Sequence, residues 1–269
     1  MISLGNRSIS YSLRGRSNSL ALPPSGAIPS AAFEGVAGTA GTRFAPVSTG
    51  SDQPAGVPRR LRDLVDASAT PPPQPAIPLD RDRWDSVLGG REQVLTLPAK
   101  LDRDSVRAFC DSQERNPDGI VATFLASQIW GYGDRGYGPH RVTAALEHPD
   151  LVPALQCAAD ELDDGNPVDA FEALCVVFEL PNLAMSFGTK YLFFADRHRR
   201  ALILDRLVGA WLVEHADLRL RLTRNPDSYR RWLEAASRWA ETLGVSSEAV
   251  ELMIFSDALP DGSQWVAGA

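Results

Sequence analysis

Two residues stand out in this 269-residue chain as capable of chemistry. Of its 27 basic side chains 25 are arginine; the only lysines are Lys100 and Lys190. Lys190 lies in LPNLAMSFGTKYLFFADRHRRALILDRLVGAWLV, residues 180–213, where a short hairpin with Gly188 at a turn opens into the apolar helix Thr189–Ala195. A lysine desolvated in such surroundings has its charged form disfavoured and becomes a usable amine nucleophile. Asp205 follows 15 residues later, between Leu202-Ile203-Leu204 and Leu207-Val208, and its carboxylate is expected to be partly shielded from water. A lysine and a carboxylate on neighbouring helices can supply a nucleophile and an acid/base group.

Two further clusters invite a role. Trp130-Gly131-Tyr132-Gly133-Asp134-Arg135-Gly136-Tyr137-Gly138-Pro139 packs four glycines and three aromatics into ten residues. Glycines let a backbone approach a ligand closely, and exposed aromatics can stack on an extruded base. Arg197-His198-Arg199-Arg200 is a basic loop, of a kind more often a solvated surface than a DNA clamp. His140, His148, His198 and His215 have no metal-ligand spacing, and no metal site is assigned.

The elements that must position these groups are helices. Asp104 can cap Ser105–Arg115, and Asp118 can cap Gly119–Trp130, whose apolar residues recur at helical spacing. Pro139 can open a helix running to about His148, followed by Leu151–Leu162 and Val168–Leu180. Asp205 delivers the chain into Arg206–Glu214. Tyr229, Trp232, Leu233, Ala236, Trp239, Ala240 and Leu243 form one apolar stripe, ended by Gly244. Ser246 or Ser247 caps a last helix through Phe255. Gln93–Leu97 is the single candidate strand, so the folded part reads as all-α.

These residues carry a resemblance. Gly188-Thr189-Lys190 before an apolar helix, and an aspartate opening the next one, is similar to the helix-hairpin-helix DNA glycosylases, in particular the bacterial 8-oxoguanine glycosylase-like proteins. The Ser186-Phe187-Gly188-Thr189-Lys190 turn, the Ala201–Asp205 stretch ALILD and the WGYG…GYGP stretch carry it. Ser186 stands where the family hairpin usually has its first glycine. The resemblance implies that Lys190 attacks C1′ of a damaged nucleotide and that Asp205 assists. It implies that Ser186, Phe187, Gly188 and Thr189 present the hairpin to a DNA phosphate, with Arg197, Arg199 and Arg200 as further DNA contacts. Trp130, Gly131, Tyr132 and Gly133 would meet the extruded base. The implied partner is double-stranded DNA containing a modified base such as 8-oxoguanine, bound by a monomer with no cofactor. Three alternatives stay open: a catalytically idle DNA-binding module, a helical protein-interaction module, or a glycosylase acting on modified phage DNA.

Composition bounds the rest. No run approaches 18 apolar residues, so no membrane span is expected. Cys110, Cys157 and Cys175 lack paired spacing, which fits a reducing cytosol and cannot supply the four thiolates of an iron–sulfur cluster. A cytoplasmic protein, nucleoid-associated when bound to DNA, is the expectation. Residues 1–78 are rich in Ser, Gly, Pro, Ala and Arg, and are expected to be a disordered tail ahead of a helical domain at 79–269. Within that tail Arg59–Ala67 can form a short helix that would be marginal alone. The tail carries seven arginines against four acids, and the rest 20 basic against 30 acidic residues. The net charge of −7 thus speaks against an indiscriminate nucleic-acid binder; DNA affinity must come from local features.

Overall fold

A computed structural model describes residues 8–13, 16–21, 56–89, 96–133 and 135–259. The chain divides into two compact units, Met1–Asp52 and Gln53–Ala269. In the first, β1 (Ser8–Leu13) and β2 (Arg16–Ala21) pair antiparallel, with Ser8 opposite Ala21 and Leu13 opposite Arg16. Ser8-Ile9-Ser10-Tyr11-Ser12-Leu13 alternates polar and apolar residues with the period of a strand, a pattern that the expectation of a featureless tail overlooks. Most of Gln93–Leu97 lies outside the described residues.

The second unit is helical. α1 (Arg59–Ala67) and α2 (Arg81–Leu88) flank the two-residue strand β3 (Ile77–Pro78), which pairs antiparallel with β4 (Lys100–Leu101). Then come α3 (Arg103–Ser112), α4 (Pro117–Tyr132), α5 (Gly138–Leu146) and α6 (Leu151–Asp163). α7 (Pro167–Glu172) passes into a π-helical turn, Ala173–Val177. α8 (Met185–Ala195), α9 (Arg206–Ala216), α10 (Pro226–Leu243) and α11 (Ser247–Asp257) complete it. None of the described helices is long and apolar enough to cross a membrane.

The folded unit begins well before residue 79. Leu61 of α1 is fully buried, and Arg60 forms an ion pair with Asp257 of α11. Further along, Gln74 accepts a hydrogen bond from Arg103 Nε at 3.0 Å. An amphipathic segment too short to be stable alone is held by the body it covers.

Local chemistry sets several boundaries differently from the sequence expectation. α3 is capped by Asp102, not Asp104: Asp102 accepts from the Ser105 amide at 2.8 Å and the Ser105 hydroxyl bonds back to the Asp102 backbone, a capping box. α4 is capped by Asn116, not Asp118, because Pro117 occupies the first helical position, where its missing N–H costs nothing. α4 also carries no single apolar stripe; it is buried on nearly every side, as the central helix must be. The Tyr229, Trp232 and Trp239 stripe of α10 is buried as expected of core.

Candidate active site

The site is built where α8, the strand-like segment 201–205 and the end of α4 meet. The chain reverses before α8, with Glu179 and Asn182 at positive φ. Met185–Ala195 is then continuous helix, so Gly188 sits inside its first turns and not at a hairpin tip. Gly188 serves close packing: a Cβ there would lie 2.5 Å from Cys175 Sγ in the π-helical turn. Its amide is bonded to the Ala184 carbonyl, and Gly188 and Thr189 are both buried, so neither can meet a phosphate. Ser186 and Phe187 are half-buried and remain accessible.

Thr189 instead positions the opposing segment. Its hydroxyl donates to the Met185 carbonyl at 2.6 Å and accepts from the Leu204 amide at 3.1 Å. Residues 201–204 are buried and belong to neither helix nor sheet, so side chains must satisfy their backbone. Tyr229 Oη donates to the Leu202 carbonyl at 3.1 Å, and Trp232 Nε1 to the Ile203 carbonyl at 3.1 Å. The segment thereby runs back along α8 and ends at Asp205.

Asp205 caps α9: Oδ1 accepts from the Leu207 and Val208 amides at 3.1 and 3.2 Å. That commitment leaves Oδ2, which lies 3.4 Å from Lys190 Nζ, and both side chains are only 3% exposed. The amine also donates to Ser186 Oγ at 3.0 Å and stands 5.2 Å from the Phe187 ring centroid. Gly131 makes room for this arrangement, since a Cβ there would lie 3.0 Å from Lys190 Cδ and 3.2 Å from Phe187 Cε1. A buried amine beside a carboxylate is an arrangement suited to nucleophilic attack with proton management by the neighbouring acid.

The Trp130–Gly133 group does not form an exposed stacking platform. Trp130 and Tyr132 are each 1% exposed, because the glycine-rich stretch continues α4 for its last turn. Trp130 packs edge-on to Phe194, and Tyr132 stacks on Phe187 with centroids 4.0 Å apart. Gly133 ends the helix at φ 56°. The exposed aromatic of the stretch is Tyr137, whose ring carries Arg141 4.7 Å from its centroid. The sequence expectation placed Trp130–Gly133 against the base and passed over Tyr137, since helix ends are not visible in a run of glycines and aromatics.

The arginines of the 197–200 loop lie at the opposite end of α8, roughly 15 Å along the helix from Ser186 by its rise per residue. Each is engaged by the protein. Arg197 donates to the Gln113 carbonyl at 2.5 Å, Arg199 pairs with Asp111 at 2.6 Å, and Arg200 donates to the Leu162 carbonyl. Asp196, fully buried, organises the loop by accepting from the amides of His198, Arg200 and Ala201. The structure therefore joins Ser186, Phe187, Lys190, Asp205 and Gly131, and leaves Arg197, Arg199 and Arg200 apart from them.

Cysteine offers no rival nucleophile in the core. Burial pushes the thiols of Cys110 and Cys175 up to about 12, so neither is a thiolate at neutral pH. Among the described residues, no three His, Cys, Asp or Glu side chains cluster as a metal site requires.

Residues 70–255 match the family model described as "Putative 8-oxoguanine DNA glycosylase OGG-like protein". No curated protein and no solved structure matches the chain.

Proposed function

Since the chain belongs to the 8-oxoguanine DNA glycosylase OGG-like family, we propose that it extrudes an oxidised purine such as 8-oxoguanine from duplex DNA and displaces it with the Lys190 amine. One observation carries this assignment: the sole lysine beyond residue 100 lies 3.4 Å from Asp205 with both side chains withdrawn from water. In the proposed reaction a new bond forms between Nζ and C1′ while the glycosidic bond breaks, its electron pair leaving with the base. Asp205 takes up the amine proton and stabilises positive charge developing on the sugar. Opening of the sugar ring gives a Schiff base, from which β-elimination expels the 3′ phosphate and nicks the strand. Phosphate contact falls to the backbone amides at the start of α8, which carry no side-chain cap, while the Ser186 side chain is turned to Lys190. The protein acts as a monomer on DNA in the cytoplasm.

Borohydride trapping on a duplex containing 8-oxoguanine tests the assignment. Wild type is expected to give a covalent adduct, and Lys190→Gln none, with the fold retained by circular dichroism. Base release without an adduct would replace the lyase with a monofunctional enzyme using Asp205 and water. A second reading, a DNA-binding module without catalysis, draws on the burial of Lys190. It requires DNA binding indifferent to Lys190→Gln and no base release from any modified duplex.

A further inference from the structure

We propose that Ser186 is a positioning residue that holds the Lys190 amine away from Asp205, a role that rests on the glycosylase assignment above. The distances rank the amine's partners unexpectedly. A charged N–H···O bond to a carboxylate ordinarily spans about 2.7–2.9 Å, yet the Asp205 contact is 3.4 Å, while the neutral Ser186 hydroxyl is at 3.0 Å. Asp205 cannot close the gap from its own side, because its cap bonds to Leu207 and Val208 anchor it. The amine, at the end of a flexible side chain, is the group whose position sets the separation.

Ser186 can draw the amine because the two are four residues apart on one helix, so their side chains share a face. Its own O–H has no acceptor among the described residues, which leaves the oxygen free to turn a lone pair to Nζ. The consequence is kinetic. In a site nearly closed to water, an amine left with Asp205 alone closes to ordinary bonding distance and is turned to the carboxylate. The serine shares the amine between two acceptors and holds it off that tight contact.

Crystal structures of wild type, Ser186→Ala and Ser186→Thr test the placement without DNA. The separation of Nζ and Oδ2 is expected to shorten to about 2.8 Å in Ser186→Ala and to stay beyond about 3.2 Å in Ser186→Thr. An unchanged separation in Ser186→Ala overturns the proposal. Single-turnover trapping on 8-oxoguanine duplex then reads the effect on reaction. Ser186→Ala is expected to form adduct about tenfold more slowly, the rate equivalent of one hydrogen bond, with its dissociation constant for DNA unchanged and with Ser186→Thr regaining most of the rate. A loss of DNA affinity that accounts for the whole loss of rate overturns it, since Ser186 would then be a phosphate contact. Absence of both adduct and base release with wild type, with the separation shortened in Ser186→Ala, removes the glycosylase assignment and leaves the placement of the amine standing.

Discussion

The two ends of α8 carry opposite kinds of charge chemistry. At its C-terminal end, three arginines and a buried aspartate form a closed set in which every group is tied to backbone or to an ion-pair partner. At its N-terminal end, one lysine is held by a serine and by a carboxylate at more than ordinary bonding distance. Along the sequence the arginine loop looks the richer in binding potential. In three dimensions it is structural, and the chemically available group is the isolated lysine. Charge density in a sequence measures how many cations are present, not how many are unspent by folding.

The contrast can be broken at either end. Asp196→Ala should have the largest effect, because three backbone amides lose their acceptor in a buried loop. A stability loss of about 3 kcal/mol or more is expected by urea denaturation; a loss under about 1 kcal/mol would mean the loop does not depend on that carboxylate. Asp205→Asn should do the reverse. Asparagine caps a helix as well as aspartate does, so stability should move by less than about 1 kcal/mol, while single-turnover trapping falls about 100-fold for want of the acid/base group. Arg199→Ala should matter least. The Arg199–Asp111 pair is 36% exposed on both sides, so less than about 1 kcal/mol of stability is at stake. The slope of DNA affinity against salt should be unchanged, whereas a slope reduced by about one would show Arg199 on a phosphate.

The sequence made the helical class and the Lys190–Asp205 partnership legible for the same reason: both rest on local patterns of residue type. What it concealed depends on tertiary company. Nothing in Trp130-Gly131-Tyr132-Gly133 tells that Gly131 lies within a helix to admit a lysine stem from 59 residues further on. Arg60 and Leu61 look like part of a loose tail until Asp257 and the core are in place to receive them. The caps at Asp102 and Asn116 were displaced from Asp104 and Asp118 by a serine and a proline, near-equal local choices that the backbone resolved. The π-helical turn at Ala173–Val177 has no residue signature, and neither does the close packing of its Cys175 against Gly188.

The strand-like segment 201–204 also dictates the order of assembly. Its carbonyls are held by Tyr229 and Trp232, which lie 27 and 29 residues further along the chain. During synthesis, Lys190 and Asp205 would leave the ribosome well before the residues that fix their separation. A nascent chain halted at residue 225 contains Lys190, Asp205 and Ser186 but lacks the helix whose Tyr229 and Trp232 hold the segment before Asp205. The placement of Asp205 against Lys190 is thus completed only when α10 has docked.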